Sequence, residues 1–575
     1  MEPDRWEEER RRGLTIDLGY AWTTLPSGQD VAFVDVPGHE RFLGNMLAGI
    51  GPAPVVCFVV AADEGWQAQS NDHRDAVAAL GIEHGVVVLS RADRASSQRI
   101  ADVLSRTRTE LAGTGLQAAP AVAVSAIDGS GLAELRAALD DVLAQVPAPT
   151  TAGRVRLWVD RSFTITGSGT VVTGTLAAGT LAQGDRLELL GHGGSRSVGI
   201  RGLQSRDTSY ASVEPVSRVA LNLRDVAATD IRRGDALVTP GAWPTTGIVG
   251  IQRTTGVAYS ELPEQLTVHV GTASVPARLR PFGADHARLV LDRQLPLVLG
   301  DRLVLRDPGS RSVMGGARIL DADPPALRRR GDGAHWAERL AGMDPAGDVL
   351  GEVAARGAVQ EQHLRRLGLL SGQDVDAPAG VRVFGDWWVH APVLEAWEHR
   401  LRTAVQGLQD RDPLAPGLSM GAARDLLKLP EEKLLSQVIH GAALEQYGGH
   451  IRVPGSQDNL GPIEAAIAEL ERRLRADAFH APEADELAAL GLGARELAAA
   501  ERTGRLLRLR DGVVLLPTAP ALAMRTLARL DQPFTTSQAR QALDTTRRIA
   551  VPLLEHLDTR GWTQRLDAGH RTVVR

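Results

Sequence analysis

Between residues 30 and 144 the chain alternates short β-branched runs with helical stretches, and no other feature restricts its fold as strongly. Residues 31–36, 55–61, 85–90 and 121–125 read as strands, and 72–80, 98–111 and 132–145 read as helices. Each strand run is apolar on both faces, as a parallel sheet covered by helices requires, so a doubly wound α/β domain is expected. A break follows at Pro147-Ala148-Pro149. From 155 to about 323, glycine-punctuated β-branched segments recur without a long helical period, which suits two small β-barrels. Beyond Pro324-Pro325 the chain turns to Ala, Leu, Arg and Glu at helical spacing, interrupted by turn-plus-strand pieces at 385–389, 448–453, 511–515 and 568–573. Roughly sixty residues separate successive pieces, the size of a three-helix unit closed by a hairpin, so four tandem winged helices are expected. A generic helical domain with incidental hairpins is the alternative.

A length of 575 residues excludes a single core, and 43% hydrophobic with 23% charged residues excludes disorder and fibrous classes. The longest apolar run, 54–62, is a strand's length rather than a bilayer's, so no membrane partner is expected. The start is acidic (Glu2, Asp4, Glu7, Glu8, Glu9) where an export signal would be basic, which places the chain in the cytoplasm. A lone cysteine, Cys57 inside a β-branched run, reads as packing rather than a reactive thiol. The net charge of −6 hides a local reversal: residues 521–575 carry nine arginines against five carboxylates.

Asp35-Val36-Pro37-Gly38-His39 follows a strand, placing a carboxylate and a glycine amide at a strand's carboxyl end, where α/β sheets bind ligands. Alone this is only a turn. Its weight comes from order: Arg12-Gly13-Leu14-Thr15 lies upstream, then Ser90-Arg91-Ala92-Asp93 follows one later strand and Ser125-Ala126 another. Phosphoryl transfer depends on positioning and charge stabilisation, and these four loops supply both for a GTPase. Thr15 and Asp35 are expected to hold Mg²⁺, Gly38 to sense the γ-phosphate and His39 to orient the attacking water. Asp93 offers two acceptors to the guanine edge, which adenine cannot match, with Ser125 and Ala126 on the base's far side and Ser90 opening the motif.

These segments carry a resemblance to SelB, the selenocysteine-specific translation elongation factors. It runs end to end, and its most specific stretches are 12–20, 35–42, Val159-Asp160-Arg161-Ser162-Phe163-Thr164-Ile165 and 550–558. The resemblance implies a GTPase domain lacking its first strand and phosphate loop at 1–148, an aminoacyl-tRNA-binding barrel at 149–240 and a second barrel at 241–324. Winged helices would follow at 325–392, 393–456, 457–518 and 519–575. It implies GTP-dependent delivery of selenocysteyl-tRNA to the ribosome at UGA codons, by a monomer bound to a selenoprotein mRNA hairpin. Asp160, Arg161 and Arg218 match positions that select the selenol, and arginine suits a selenolate as it does not suit neutral serine. Arg547, Arg548, Arg560, Arg565 and Arg571 would form a basic face for the hairpin.

Two departures stand out. Ser90-Arg91 replaces the family's Asn or Thr followed by Lys, and no Gly-x-x-x-x-Gly-Lys-[Ser/Thr] occurs anywhere. An amino-truncated member with a damaged nucleotide domain that binds GTP poorly is therefore expected, because the absent strand would lie inside the sheet. Gly167-Ser168-Gly169-Thr170 is no dinucleotide loop, since it enters a β-branched strand rather than a helix. An RNA-binding adaptor without catalysis and a winged-helix transcription regulator are the alternative functions.

Overall fold

The computed structural model describes residues 15, 17–51, 53–327, 329, 331–370, 372, 375–455 and 460–574. It forms two compact units, Met1–Ala379 and Gly380–Arg575.

The first unit opens with an antiparallel hairpin, β1 (Gly19–Thr24) and β2 (Asp30–Asp35), in which Gly19 faces Asp35. The helix α1 (Leu43–Ile50) leads to a three-stranded parallel sheet of β3 (Val56–Ala61), β4 (Gly85–Ser90) and β5 (Ala121–Ala123), in that order. Helices α2 (Ala68–Leu80), α3 (Ser97–Glu110) and α4 (Leu132–Leu143) connect and follow the strands. Central β4 shows why its sequence lacks polar alternation. Val87 and Leu89 pack with α1, α2 and α3 on one face, while Val86 and Val88 pack with Leu139 and Val142 of α4 on the other. The doubly wound pattern expected from the sequence is what these residues form. The β1 strand and α1 carried no clear periodicity and were not anticipated.

Two barrels follow. The first runs β6 (Arg156–Ile165), β7 (Gly169–Leu176), β8 (Leu181–Ala182), β9 (Arg186–Gly191), β10 (Gly194–Ser205), β11 (Thr208–Tyr210), β12 (Ser212–Val213), β13 (Ser217–Arg224) and β14 (Ala236–Val238). Its main sheet orders them β11-β10-β13-β7-β6-β14-β9, and β9 returns to β10 to close the wall. Gly174 is required by packing: a Cβ there would lie 2.5 Å from the Trp158 carbonyl on β6. The second barrel, β15 (Thr246–Gly256), β16 (Gln265–Val270), β17 (Ala273–Pro281), β18 (His286–Leu295), β19 (Arg302–Arg306) and β20 (Val313–Asp321), closes fully. Val304 of β19 belongs to the same core as α1 and α2, so this barrel and the α/β domain share buried surface. Helices Asp332–Ala341, Val349–Arg356 and Glu361–Leu367 end the unit.

The second unit begins with the hairpin Val381–Phe384/Trp387–His390. Three modules of three helices and a hairpin follow, the hairpins being Glu445–Tyr447/His450–Arg452, Leu507–Arg508/Val514–Leu515 and Thr563–Arg565/His570–Val573. All four turn-plus-strand pieces of the sequence are therefore wings. The last two modules share one continuous core from Leu460 to Leu557. Pro552 sits inside the helix Arg547–Thr559, buried with Leu553 and Leu554. Among the described residues no helix is long and apolar enough to cross a membrane.

Because Leu89 is 1% exposed at the centre of the sheet, Leu89→Ala is expected to cost about 2–5 kcal/mol. The measurement is the urea midpoint of the transition that abolishes this unit's near-ultraviolet signal.

Candidate functional site

The loop ends of the α/β domain carry the first cluster. Arg12, Gly13 and Leu14 lie outside the described residues, but Thr15 is described, and its hydroxyl donates to Asp35 Oδ2 at 3.3 Å. The two groups read from sequence as a pair are thus together. Among the described residues a Cβ added at Gly38 would meet only Gln69 Oε1, at 3.9 Å. His73 of α2, which sequence reasoning missed, hydrogen-bonds the Gly38 backbone, and burial pulls its pKa down against that bond. His39 caps a short 3₁₀ turn, Glu40–Phe42, and its Nδ1 accepts the Arg41 N–H at 3.2 Å.

Ser90 ends β4, and its carbonyl accepts the Ala62 N–H at 2.7 Å. Arg91 takes a left-handed backbone, φ 55°, and pairs with Glu64 at 2.7 Å instead of reaching inward as a lysine stem would. Asp93 follows in an exposed 3₁₀ turn. Ser125 is fully buried, its hydroxyl accepting the N–H groups of Ile127 and Asp128 at 3.2 and 3.4 Å. It shapes the loop, and Ala126 is exposed together with residues 127–130, Ile127 at 83%. Gly131 must be glycine, for at φ +74° a Cβ would stand 2.0 Å from the Ala123 carbonyl.

A second cluster lies where the β1 hairpin meets the first barrel. Asp160 is 5% exposed and binds Arg218 Nη2 at 3.0 Å. Thr173 donates to the same carboxylate, and the Tyr20 hydroxyl donates to it at 3.3 Å. The Arg218 guanidinium stacks 3.4 Å over the Tyr20 ring. Burial pushes the Tyr20 hydroxyl up to about 12, with the Asp160 charge adding to it. Arg161 turns instead to Asp17, 3.1 Å away, and to the Leu18 carbonyl. Arg233 donates to Asp17 at 2.7 Å, to Asn45 at 2.7 Å and to the Asp160 carbonyl at 2.9 Å. Burial works against the Asp17 charge, but the bond and charge of Arg233, helped by Arg161, hold its pKa below the usual carboxylate range. The Nε–H groups of Arg161 and Arg218 are buried and have no hydrogen-bond partner among the described residues. Asp160, Arg161 and Arg218 are brought together as expected. Thr173, Arg233 and Asp17 were missed, since nothing local signals partners that lie far along the chain.

In the last module Arg547, Arg560 and Arg565 are exposed. Two of the five arginines of the expected face behave otherwise. Arg571 is 6% exposed and turned inward, its Nε 2.8 Å from Asp558 and its Nη1 3.2 Å from Thr536 Oγ1. That corrects the sequence reading: in a strand, Arg571 shares a face with Val573, which packs on the core. Arg548 is half-buried, donating to the Ala481 carbonyl at 2.8 Å and pairing with Glu483 at 3.1 Å. It ties two modules together.

Comparison with known proteins agrees with this layout. Residues 1–145 match the family described as Elongation factor Tu GTP binding domain, residues 261–326 match Selenocysteine-specific elongation factor, beta-barrel domain, and residues 525–572 match Elongation factor SelB, winged helix. The selenocysteine-specific elongation factor of Escherichia coli K12 is 31% identical over 480 residues, 81% of this chain and 76% of that protein. That of Desulfomicrobium baculatum is 27% identical over 98% of this chain and 94% of its own length. A crystal structure of a bacterial selenocysteine-specific elongation factor, EF-Sec, superposes with a TM-score of 0.73 at 22% identity, covering 100% of this chain and 96% of that one. The chain belongs to the selenocysteine-specific elongation factors, a family of translational GTPases.

Proposed function

We propose that this chain, as a cytoplasmic monomer, delivers selenocysteyl-tRNA to the ribosome at UGA codons, with GTP hydrolysis at the α/β domain and an mRNA hairpin held by the last winged helix. The observation that carries the reading is the arginine cluster on the first barrel. A selenolate is an anion and the serine hydroxyl is neutral, so spare cationic donors discriminate between them. Among the described residues, the carboxylates that pair with Arg161, Arg218 and Arg233 are Asp160 and Asp17. Among the described residues these three arginines face two carboxylates, and the two Nε–H groups without a described partner suit an incoming anion.

At the nucleotide loops, Asp93 accepts from the guanine ring N–H and exocyclic amine. Ser125 acts by ordering its loop, leaving contact with the base to Ala126, and Ser90 begins the turn that aims Asp93. Gly38 senses the γ-phosphate through its amide. Thr15 and Asp35 are hard oxygen donors already in contact, which fits Mg²⁺, an ion that keeps most of its shell as water and phosphate. Bound there, Mg²⁺ would neutralise charge on the phosphate oxygens. His39 accepts at Nδ1, which leaves Nε2 as the ring's donor. It would orient the attacking water by donating a hydrogen bond rather than by taking a proton.

The segment from Thr15 to Tyr20 links these loops to the barrel. Thr15 touches Asp35, Asp17 holds Arg161 and Arg233, and Tyr20 covers Arg218. Nucleotide-dependent movement of Thr15 would shift Tyr20, five residues on, and so open the arginine cluster.

Three outcomes test these roles. Arg218→Ala is expected to reduce the preference for selenocysteyl-tRNA over seryl-tRNA about tenfold, the size of one charge-assisted contact, in a protection-from-hydrolysis assay. An unchanged preference would overturn the selenolate assignment. Reversing Arg547 and Arg560 to Glu is expected to lower the slope of log affinity for the mRNA hairpin against log salt by about one per arginine. Arg571→Ala should leave that slope alone and instead destabilise the fold by about 3–5 kcal/mol, because it abandons Asp558. Finally, the folded-state pKa of Asp17 is depressed, so its stabilisation is complete above the unfolded value of about 3.9 and is lost as pH falls through the folded one. Acid titration followed by near-ultraviolet circular dichroism should show this loosening, and Asp17→Asn should abolish the step.

A further inference from the structure

The second unit holds a cavity of about 410 Å³ between the wing Glu445–Tyr447/His450–Arg452 and the end of the helix Ala494–Arg502. Its volume lies at the lower end of the range for small-ligand sites. The floor is apolar, with Val405 and Leu460 both buried. The rim differs. Tyr447 is 57% exposed, and the Arg452 guanidinium lies 4.1 Å over its ring. Arg452 is also paired with Glu445 at 2.7 Å, which fixes the planar stack in place. Arg502 is exposed and donates through Nη2 to the Leu414 carbonyl at 2.7 Å. Among the described residues Arg502 pairs with no carboxylate, and no carboxylate lines the cavity. Gln409, near the end of the helix Ala391–Arg411, lines it as well, and its amide makes no hydrogen bond among the described residues.

The combination selects a ligand chemistry. A fixed aromatic–guanidinium stack suits a flat ring, an uncommitted amide suits an edge that both donates and accepts, and a cation without a carboxylate suits an anion. A splayed nucleotide carries all three features on one small group. A base inside a duplex has neither face free, so the strand must be unpaired at this point. Among the bases, adenine presents the adjacent acceptor and donor that a side-chain amide matches with two hydrogen bonds.

We propose that this cavity takes one unpaired adenine nucleotide of a nucleic-acid strand, with the base on the Tyr447–Arg452 stack, its edge on the Gln409 amide and its phosphate on Arg502. The site belongs to the second and third helix-and-hairpin modules of this unit, apart from the arginines of the last module, and does not rest on the hairpin reading above. RNA and single-stranded DNA share this chemistry, and the sugar distinguishes them.

The probes are fluorescein-labelled strands of about eight nucleotides, oligo(A), oligo(U) and oligo(dA), titrated into the full chain and followed by polarisation. Oligo(A) is expected to bind about tenfold more tightly than oligo(U). Tyr447→Ala should weaken oligo(A) about tenfold, whereas Tyr447→Phe, which keeps the ring, should change it by less than about twofold. Gln409→Leu should remove the preference for A over U while leaving oligo(U) affinity within about twofold. Arg502→Glu should lower the slope of log affinity against log salt by about 0.7 or more. All three positions are partly or fully exposed, so the circular dichroism spectrum should not change. Equal binding of oligo(dA) and oligo(A) supports a site that reads the base and not the sugar, and weaker binding of oligo(dA) supports it with RNA as the source. A folded chain whose oligo(A) affinity is unchanged by Tyr447→Ala and Gln409→Leu overturns the proposal. So does an A-over-U preference that survives Gln409→Leu and is lost when Arg547 and Arg560 are reversed to Glu, which would place the strand on the last module.

Discussion

The buried carboxylate of Asp160 is the constraint around which the first unit is arranged. A charge 5% exposed persists only if it is paired and its lone pairs are filled. Asp160 of β6 meets that demand with Thr173 of β7, Arg218 of β13 and Tyr20 of β1. Three of these groups belong to the barrel and one to the hairpin, so satisfying the acid docks the hairpin on the barrel wall. Arg218 is doubly fixed, by the carboxylate and by the Tyr20 ring under its guanidinium. A guanidinium oriented in this way binds a further anion without first losing its own rotational freedom.

That docking puts the Thr15–Asp35 contact and the arginine cluster on one short stretch of chain. Only four residues separate Thr15 from Tyr20, and Asp17 between them is held by two barrel arginines. Among the described residues of this stretch, Thr15, Asp17 and Tyr20 each make a side-chain contact, to Asp35, to the two arginines and to Arg218. The depressed pKa of Asp17 moves the loss of this link to more acid pH than an ordinary aspartate would give.

Much of this was legible in the sequence wherever chemistry and position are set by short spacing. The β4 run is apolar throughout because both its faces are covered, and the loop after it therefore had to fall at the ligand end of the sheet. Thr15 and Asp35 were readable as a pair from motif order alone. What stayed hidden depends on long separations: Tyr20 with Asp160, Arg233 with Asp17, Thr173 with Arg218. Periodicity also carried information that the charge count obscured. Arg571 alternates with exposed His570 and shares the inward face of Val573, so strand geometry marks it as buried while composition marks it as basic surface. Adjacent Arg547 and Arg548 lie about 100° apart around their helix, and only one of them faces solvent.

The residues expected to handle nucleotide are divided between two sheets. Asp35 ends the hairpin, whereas Asp93 and Ser125 follow strands of the three-stranded sheet. No ladder joins the two halves among the described residues, and side chains do that work: Gly49 of α1 lies against Leu18, Val34 and Val36, and Ser27 in the hairpin turn hydrogen-bonds Asp140 of α4. Side-chain packing tolerates small shifts more readily than a hydrogen-bonded ladder, in which a slip of one residue reverses every side chain. The hairpin is therefore positioned chiefly by the barrel, through Asp160, and the base-reading loops by the core around β4. Asp35 and the loops after β4 and β5 thus belong to two parts of the domain that are held by different contacts.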